Sequence, residues 1–266
     1  MPVDNKSVTI ATLLKMKQQA QRISMLTAYD YTMAALLDQA GVDVLLVGDS
    51  LGMVVQGRST TIPVTLKQMI YHGEMVARAA SRALVVVDLP FPHGQLGVRQ
   101  TLRVAARVMK ATGCGAVKLE GGAEQAETIK SLVSAGIPVI AHVGLRPQSV
   151  HALGGYRVQR DQQRIEQDAL AAESAGAFCV LMECVPSSVA KAITQRLKVP
   201  TIGIGAGVDC DGQVLVTPDL LGISLGRVPK FVRTFNNLAE QIRQSVGQYN
   251  TAVREGSFPA QAESFE

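Results

Sequence analysis

Four times the chain runs an apolar stretch straight into a charged residue: "VLLVGDS" at 44–50, "VVVDLP" at 85–90, "VKLEGG" at 117–122 and "VLMECV" at 180–185. Continuous apolar runs of this length suit strands buried on both faces, the condition of a parallel sheet covered by helices. A loose repeat surrounds them, seen in "AGVDVLLVGD", "GCGAVKLEG", "AGIPVIAHVG" and "AGAFCVLMEC". The glycine is the residue a helix needs just past its end, where a left-handed backbone penalises a side chain. Each repeat therefore reads as helix stop, strand, then a residue able to do chemistry.

Strand cores fall near residues 26, 46, 86, 118, 140, 181, 203 and 215, and helical spacing covers 31–40, 65–80, 97–111, 123–135, 161–175 and 187–197. Eight βα units in about 250 residues predict a (β/α)8 TIM barrel, with an open doubly wound sheet as the alternative. "TIATLLKMKQQAQR", from residue 9, reads as an amphipathic helix closing the barrel bottom. The last βα unit needs a short helix near 219–226, and a further helix is expected over 232–250. The whole chain, 1–266, is expected to form one domain, with the tail 252–266 mobile or exchanged with a neighbouring subunit.

Composition narrows the function classes. With 47% hydrophobic and 18% charged residues and a mean hydropathy of +0.18, the chain is apolar enough to expect surface buried in a homo-oligomer. No apolar run approaches the roughly 18 residues that span a bilayer, so no membrane is expected. The start, "MPVDNKSVTI", shows no export or transit pattern, and the cytoplasm is the expected compartment. A net charge of +4, 4% aromatic residues and no tryptophan argue against nucleic acid as a partner. Arg99, Arg103, Arg107 and Lys110 share one predicted helix face, most simply a solvated one, with an anion-binding stripe as the alternative. The four cysteines lack CxxC spacing, which favours neither disulfides nor zinc.

In a (β/α)8 barrel the carboxyl ends of the strands form one rim, and active sites are built there. Asp49, Asp88, Lys118 with Glu120, His142 and Glu183 then meet at that rim, from strands two to six. Lys118 and Glu120, two apart in an extended segment, point the same way. Any one acid could merely cap the next helix. Clustered acids repel and imply a cation, and hard oxygen ligands with one rim histidine favour Mg²⁺ or Mn²⁺ over Zn²⁺. Such an ion leaves room for a chelating 2-oxo acid, whose neighbouring carbon becomes acidic, while a glutamate across the cavity serves as base. Metal help fits the magnitudes. A carbon acid beside a ketone is weaker than a glutamate of pKa about 4.3 by over ten units, at about 1.4 kcal/mol each, and a single oxyanion hydrogen bond supplies only about 3 to 4 kcal/mol.

"LTAYDY", "VGDSLGMVVQG", "TTIPVTL", "DLPFPHG", "KLEGG", "HVGLRPQSV", "GGYRVQ", "ECVP" and "TIGIGAG", in order from about residue 9 to 235, closely resemble the 3-methyl-2-oxobutanoate (ketopantoate) hydroxymethyltransferase family. The resemblance implies a TIM barrel that hydroxymethylates 3-methyl-2-oxobutanoate with 5,10-methylenetetrahydrofolate, giving 2-dehydropantoate and tetrahydrofolate for pantothenate and coenzyme A biosynthesis. By the same resemblance Asp49 and Asp88 are Mg²⁺ ligands and Glu120 joins them directly or through water. Asp49, Ser50, Asp88 and Lys118 line the oxo-acid site, Lys118 and Ser50 meeting its carboxylate, and Glu183 takes the C3 proton. The resemblance also implies a decamer. The sequence departs from the family pattern at Arg146, where a small hydroxylated residue is usual, and at Arg160 and Asp161, where a glycine is usual.

Further residues carry weaker expectations. His142 is a hydrogen-bonding rim residue or a structural one. "GIGAG" (203–207) is a tight turn or a phosphate cradle, "HALGGYRVQR" (151–160) a cover over the folate or an ordinary loop, and His72 and His93 packing or surface residues. The rival function is another Mg²⁺-dependent oxo-acid barrel, a lyase or mutase of phosphoenolpyruvate-like substrates. It calls for arginines on the rim to hold phosphate, and no strand end here offers one. A non-catalytic barrel is the second rival.

Overall fold

The structure, a computed structural model, describes residues 6–226 and 228–265. In chain order it contains α1 (Ile10–Gln18), β1 (Ile23–Thr27), α2 (Tyr31–Gln39), β2 (Val44–Val47), α3 (Leu51–Val54), α4 (Leu66–Ala79), β3 (Leu84–Asp88), α5 (Val98–Thr112), β4 (Ala116–Glu120), α6 (Ala126–Ser134), β5 (Val139–Gly144), α7 (Gln162–Ser174), β6 (Cys179–Glu183), α8 (Ser187–Arg196), β7 (Thr201–Ile204), β8 (Gly212–Leu215), α9 (Thr217–Leu221) and α10 (Leu238–Glu255). Every strand pairs in parallel with its sequence neighbours, and β8 returns to β1 through Ile23↔Gly212 to Leu26↔Leu215. That last ladder closes the (β/α)8 barrel and removes the open-sheet alternative. A short turn of residues 205–211, holding the end of the "GIGAG" stretch, joins β7 to β8.

The local signals act as the repeat predicts. Gly41, Gly113, Gly136 and Gly176, with φ of 85°, 74°, 81° and 99°, end the helices that precede β2, β4, β5 and β6. Helix starts are capped by side chains: Asp30 accepts the Met33 N–H, Thr65 the Gln68 N–H and Asp161 the Arg164 N–H.

Strand alternation divides the apolar residues into two layers. Leu45, Val47, Val85, Val87, Val117, Leu119, Ala141, Val143, Val180 and Met182 face the helices. Val44, Leu46, Leu84, Val86, Ala116, Ile140, Cys179 and Leu181 face inward and fill the barrel. Leu13 of α1 joins this inner cluster beside the starts of β1 and β2, and burying such a side chain is worth about 1.5–3 kcal/mol. Lys17 of α1 donates to Asp211 Oδ2 at 2.7 Å and to the Thr194 carbonyl at 3.0 Å. Asp211 also accepts the Thr201 N–H, at the foot of β7. Helix α1 thus closes the amino-terminal end of the barrel, as its amphipathic pattern predicts.

The chain divides into two compact units after Val216. The second, taken by itself, is held by backbone bonds from Phe235 N–H to the Leu220 carbonyl and from Ala239 N–H to the Gly222 carbonyl. Its helices are displaced from expectation. The helix expected near 219–226 is α9, Thr217–Leu221, and the one expected over 232–250 is α10, Leu238–Glu255. Asn236 Oδ1 accepts the Asn237 N–H, a local bond that competes with helix, so α10 begins after it and runs on until Gly256 at φ 70°. Among the described residues no helix is long and apolar enough to cross a membrane.

Candidate functional site

The inward positions of β3, β4, β5 and β6 change from apolar to polar as the strands reach their carboxyl ends. On β3 the series is Leu84, Val86, Asp88; on β4 Ala116, Lys118, Glu120; on β5 Ile140, His142; on β6 Cys179, Leu181, Glu183. Strand register sets them side by side, with Asp88 opposite Lys118 and Glu120 opposite His142. Asp49 follows β2 and completes the group. Asp49, Asp88, Lys118, Glu120 and His142 are all buried.

These residues form one connected network. Lys118 Nζ lies 3.0 Å from Asp88 Oδ2 and 3.0 Å from His142 Nδ1. The Asp49 N–H donates to Asp88 Oδ2 at 3.3 Å. His142 Nδ1 is 3.9 Å from Glu120 Oε1, and His142 Nε2 is 3.3 Å from Glu183 Oε2. The last contact is close but too poorly aligned for a full hydrogen bond, and Nε2 has no other partner. Because an ammonium can only donate, Nδ1 of a neutral His142 accepts from Lys118 and the ring hydrogen sits on Nε2, toward Glu183.

One ammonium cannot neutralise four carboxylates. Burial raises Asp49, with Lys118 opposing it, and raises Glu120 well above the ordinary glutamate value. Burial, opposed by Lys118 and aided by Asp49, lifts Asp88 to about 7, and burial opposed by Lys118 lifts Glu183 to about 7. For Lys118 burial works against the charge, but Asp88, Glu120 and Asp49 together outweigh it and hold the ammonium above the usual lysine range. Burial first, then Lys118, drives His142 well below the usual histidine value, which keeps it neutral.

The helix-cap reading of the acids fails on this geometry. The helices that follow these acids, α3, α5, α6 and α8, each start without a side-chain cap bond. Two of the acids' oxygens, Asp88 Oδ1 and Glu120 Oε1, are buried with no hydrogen-bond partner among the described residues. Buried anionic oxygens without a donor fit a hard cation. Among the described residues no group of three or more His, Cys, Asp or Glu side chains is placed to hold a metal ion by itself. Mg²⁺ does not require one, since it takes one or two carboxylates and keeps water and substrate oxygens.

Other expected residues lie around this centre. Ser50 Oγ is 2.8 Å from the Tyr29 hydroxyl, which ties "LTAYDY" to "VGDS". His72 bonds the Tyr29 carbonyl through Nδ1 and is a packing residue. Arg146 pairs with Glu124 rather than with a rim carboxylate. In the 151–160 segment the Gln159 N–H donates to the Cys184 carbonyl, and the Tyr156 hydroxyl donates to Met53 Sδ at 3.6 Å. Burial, then the charges of Asp49, Glu183 and Glu120, raise the Tyr156 phenol, so this segment stands within the field of the site.

One participant escaped the sequence reading. Gln148, in the 3-10 turn Pro147–Ser149 after β5, is buried among the acids and bonds two of them. Its only signal was its place inside "HVGLRPQSV".

Residues 7–261 match the sequence profile of the ketopantoate hydroxymethyltransferase family. A 3-methyl-2-oxobutanoate hydroxymethyltransferase of Rhodopirellula baltica is 62% identical over 259 residues, covering 97% of this chain and 96% of that protein. One from Desulforapulum autotrophicum is 53% identical over 97% of this chain and 98% of its own length. Among solved structures, a phosphoenolpyruvate phosphomutase of Streptomyces platensis subsp. rosaceus superposes with a TM-score of 0.63 at 16% identity, covering 93% of this chain and 88% of that one. A phosphonopyruvate hydrolase in complex with oxalate and Mg²⁺ gives 0.62 at 14% identity, covering 96% and 92%. At such identities these two share the fold alone.

Proposed function

Since the chain belongs to the ketopantoate hydroxymethyltransferase family, we propose that the acidic cluster at the barrel rim is where it converts 3-methyl-2-oxobutanoate into a carbon nucleophile. The enzyme transfers a hydroxymethyl group to that oxo acid. The one-carbon donor in this reading is 5,10-methylenetetrahydrofolate. The C3–H bond breaks and C3 bonds to the donor's methylene carbon; both carbon–nitrogen bonds of that methylene break, water supplies the hydroxyl, and the C3 proton and one water proton go to the two folate nitrogens as 2-dehydropantoate and tetrahydrofolate leave.

Asp49 and Asp88, joined by Glu120 directly or through water, would hold Mg²⁺, which when bound supplies Lewis-acid stabilisation of the charge that develops on the ketone oxygen. The remaining work belongs to the chain. Lys118 and Ser50 hold the substrate carboxylate, Lys118 as a fixed positive charge kept protonated by its acidic neighbours. Glu183, lifted to about 7 by burial, takes the C3 proton on a carboxylate oxygen. Neutral His142 presents Nε2–H toward Glu183, 3.3 Å from its carboxylate. The apolar layer of Leu46, Val86, Ile140 and Leu181 excludes water from beneath. The 151–160 segment, with Tyr156, covers the folate from above.

The observation that carries this reading is the pair of unpartnered buried oxygens, Asp88 Oδ1 and Glu120 Oε1, linked through Lys118 and His142 to a glutamate of raised pKa. The test is exchange of the C3 hydrogen of 3-methyl-2-oxobutanoate with D₂O, followed by proton NMR without folate. Exchange that requires Mg²⁺ and Glu183 supports it. Exchange retained in both Glu183→Gln and Asp88→Ala would remove it.

The chain is further read as one functional unit of 1–266 in a cytoplasmic homodecamer. Support for self-association comes from α10, which leaves Ile242 53% and Tyr249 55% exposed on one stripe with Val246 and Val253. Spacings of four, seven and eleven residues place them on one helix face.

A further inference from the structure

We infer that Gln148 is a positioning residue that fixes how the carboxylates meet their cation, and so sets a preference for a small six-coordinate ion over a larger one. The inference rests on the proposed metal role of Asp49, Asp88 and Glu120.

Gln148 is 4% exposed, and its bonds reach the ends of three successive strands. Its backbone N–H donates to Glu120 Oε2 at 3.1 Å, on β4. Its side-chain Nε2 donates to Asp49 Oδ2 at 2.8 Å, beyond β2, and to the Leu89 carbonyl at 2.9 Å, next to Asp88 of β3. Neither a carboxylate nor a carbonyl oxygen can donate in return, so turning the amide over would set Oε1 against two acceptors. The orientation of Gln148 is therefore fixed by its partners.

The consequence lies in which oxygens remain. Gln148 takes Oδ2 of Asp49 and Oε2 of Glu120, while Lys118 and the Asp49 N–H take Oδ2 of Asp88. Each acid is thus anchored through one oxygen, and for Asp88 and Glu120 the other is buried with no hydrogen-bond partner among the described residues. A carboxylate pinned at one oxygen offers the cation a single ligand atom and cannot rotate to offer both. Mg²⁺ takes single oxygens at about 2.1 Å in an octahedron, whereas Ca²⁺ accepts 6–8 oxygens, about 2.4 Å away, often from bidentate carboxylates. Releasing Asp49 Oδ2 costs the small ion its geometry and gives the larger one an extra ligand. The competing role, filling space and satisfying buried acceptors, would lower stability without changing the choice between ions.

The test is calorimetric titration of the full-length protein with Mg²⁺ alone and with Ca²⁺ alone, comparing wild type with Gln148→Met, which keeps the volume and the backbone N–H but loses both amide donors. Loss of such a supporting bond typically weakens metal binding about 10–100-fold. The expected result is a Mg²⁺ Kd raised within that range and a Ca²⁺ Kd changed less than about threefold, narrowing the Mg²⁺-over-Ca²⁺ ratio about tenfold. If Gln148→Met does not fold, Gln148→Asn, whose shorter amide cannot span both acceptors, is judged by the same narrowing of the ratio. An unchanged ratio with wild-type Mg²⁺ binding intact overturns the inference alone. A wild-type protein that binds neither ion overturns the metal reading and the inference with it.

Discussion

A Cβ placed on Gly144 would lie 2.4 Å from the carbonyl oxygen of Glu183. The two residues are register partners at the ends of β5 and β6, and the Leu145 N–H donates to that same carbonyl at 2.8 Å. Gly144 also sits at φ 87°, a backbone that side chains rarely adopt. Gly144→Ala must therefore push the end of β6, carrying Glu183, away from its place. A displacement of about 1 Å in a reacting group costs on the order of 10²-fold in rate. Deuterium exchange should fall by that order. Full exchange in this variant would contradict the placement of Glu183.

Glu183→Gln removes the proton acceptor and leaves the shape. General-base catalysis contributes about 10²–10⁴-fold, so C3 exchange should drop by that factor while the oxo acid still binds. Isothermal titration with 3-methyl-2-oxobutanoate in the presence of Mg²⁺ separates the two. A loss of binding equal to the loss of rate would mean that Glu183 holds substrate rather than its proton.

The pH dependence has a definite sign. Burial holds the Glu183 carboxyl protonated up to about 7, and only the carboxylate can accept the C3 proton. kcat/KM for exchange should rise with pH through that region and level off above it. A bound divalent cation favours the carboxylate, so the rising limb should move to lower pH as Mg²⁺ is raised. A profile that is flat from pH 5.5 to 8 at low Mg²⁺ would exclude Glu183 as the titrating base.

Lys118→Met leaves buried acids without their ammonium. Breaking a buried ion pair from one side costs about 3–5 kcal/mol, since the remaining charge is uncompensated. Urea unfolding at neutral pH should show a loss of that size, and added Mg²⁺ should recover part of it by replacing the missing positive charge. Unchanged stability would show that Asp88 is already neutral in the folded protein.

The stripe on α10 predicts self-association. Val246→Glu and Tyr249→Glu, made together, put charge onto a face that the described residues leave exposed. Light scattering should report a large assembly for the wild type and a smaller one for the double variant. Equal masses would move the subunit interface elsewhere.

The barrel was legible because parallel strands covered on both sides must be apolar throughout, and because the glycines at 41, 113, 136 and 176 mark where each helix stops. The rim was legible for a related reason: Asp88, Lys118, Glu120 and Glu183 interrupt apolar runs at positions that no apolar layer would tolerate. Gln148 was hidden, since a glutamine in a loop is ordinary and only barrel closure brings it against Asp49 and Glu120. The bounds of α10 differ from expectation because its start is decided by the local bond between Asn236 and Asn237, not by the periodicity of its apolar residues.

The alternation along β3 to β6 also limits how the gene can drift. Deleting a single codon inside β4 would turn Lys118 and Glu120 toward the helices and Leu119 into the mouth, and no neighbouring strand could restore the set. Length differences between descendants of this chain should thus accumulate in the connecting loops, leaving the strands as rulers of constant length.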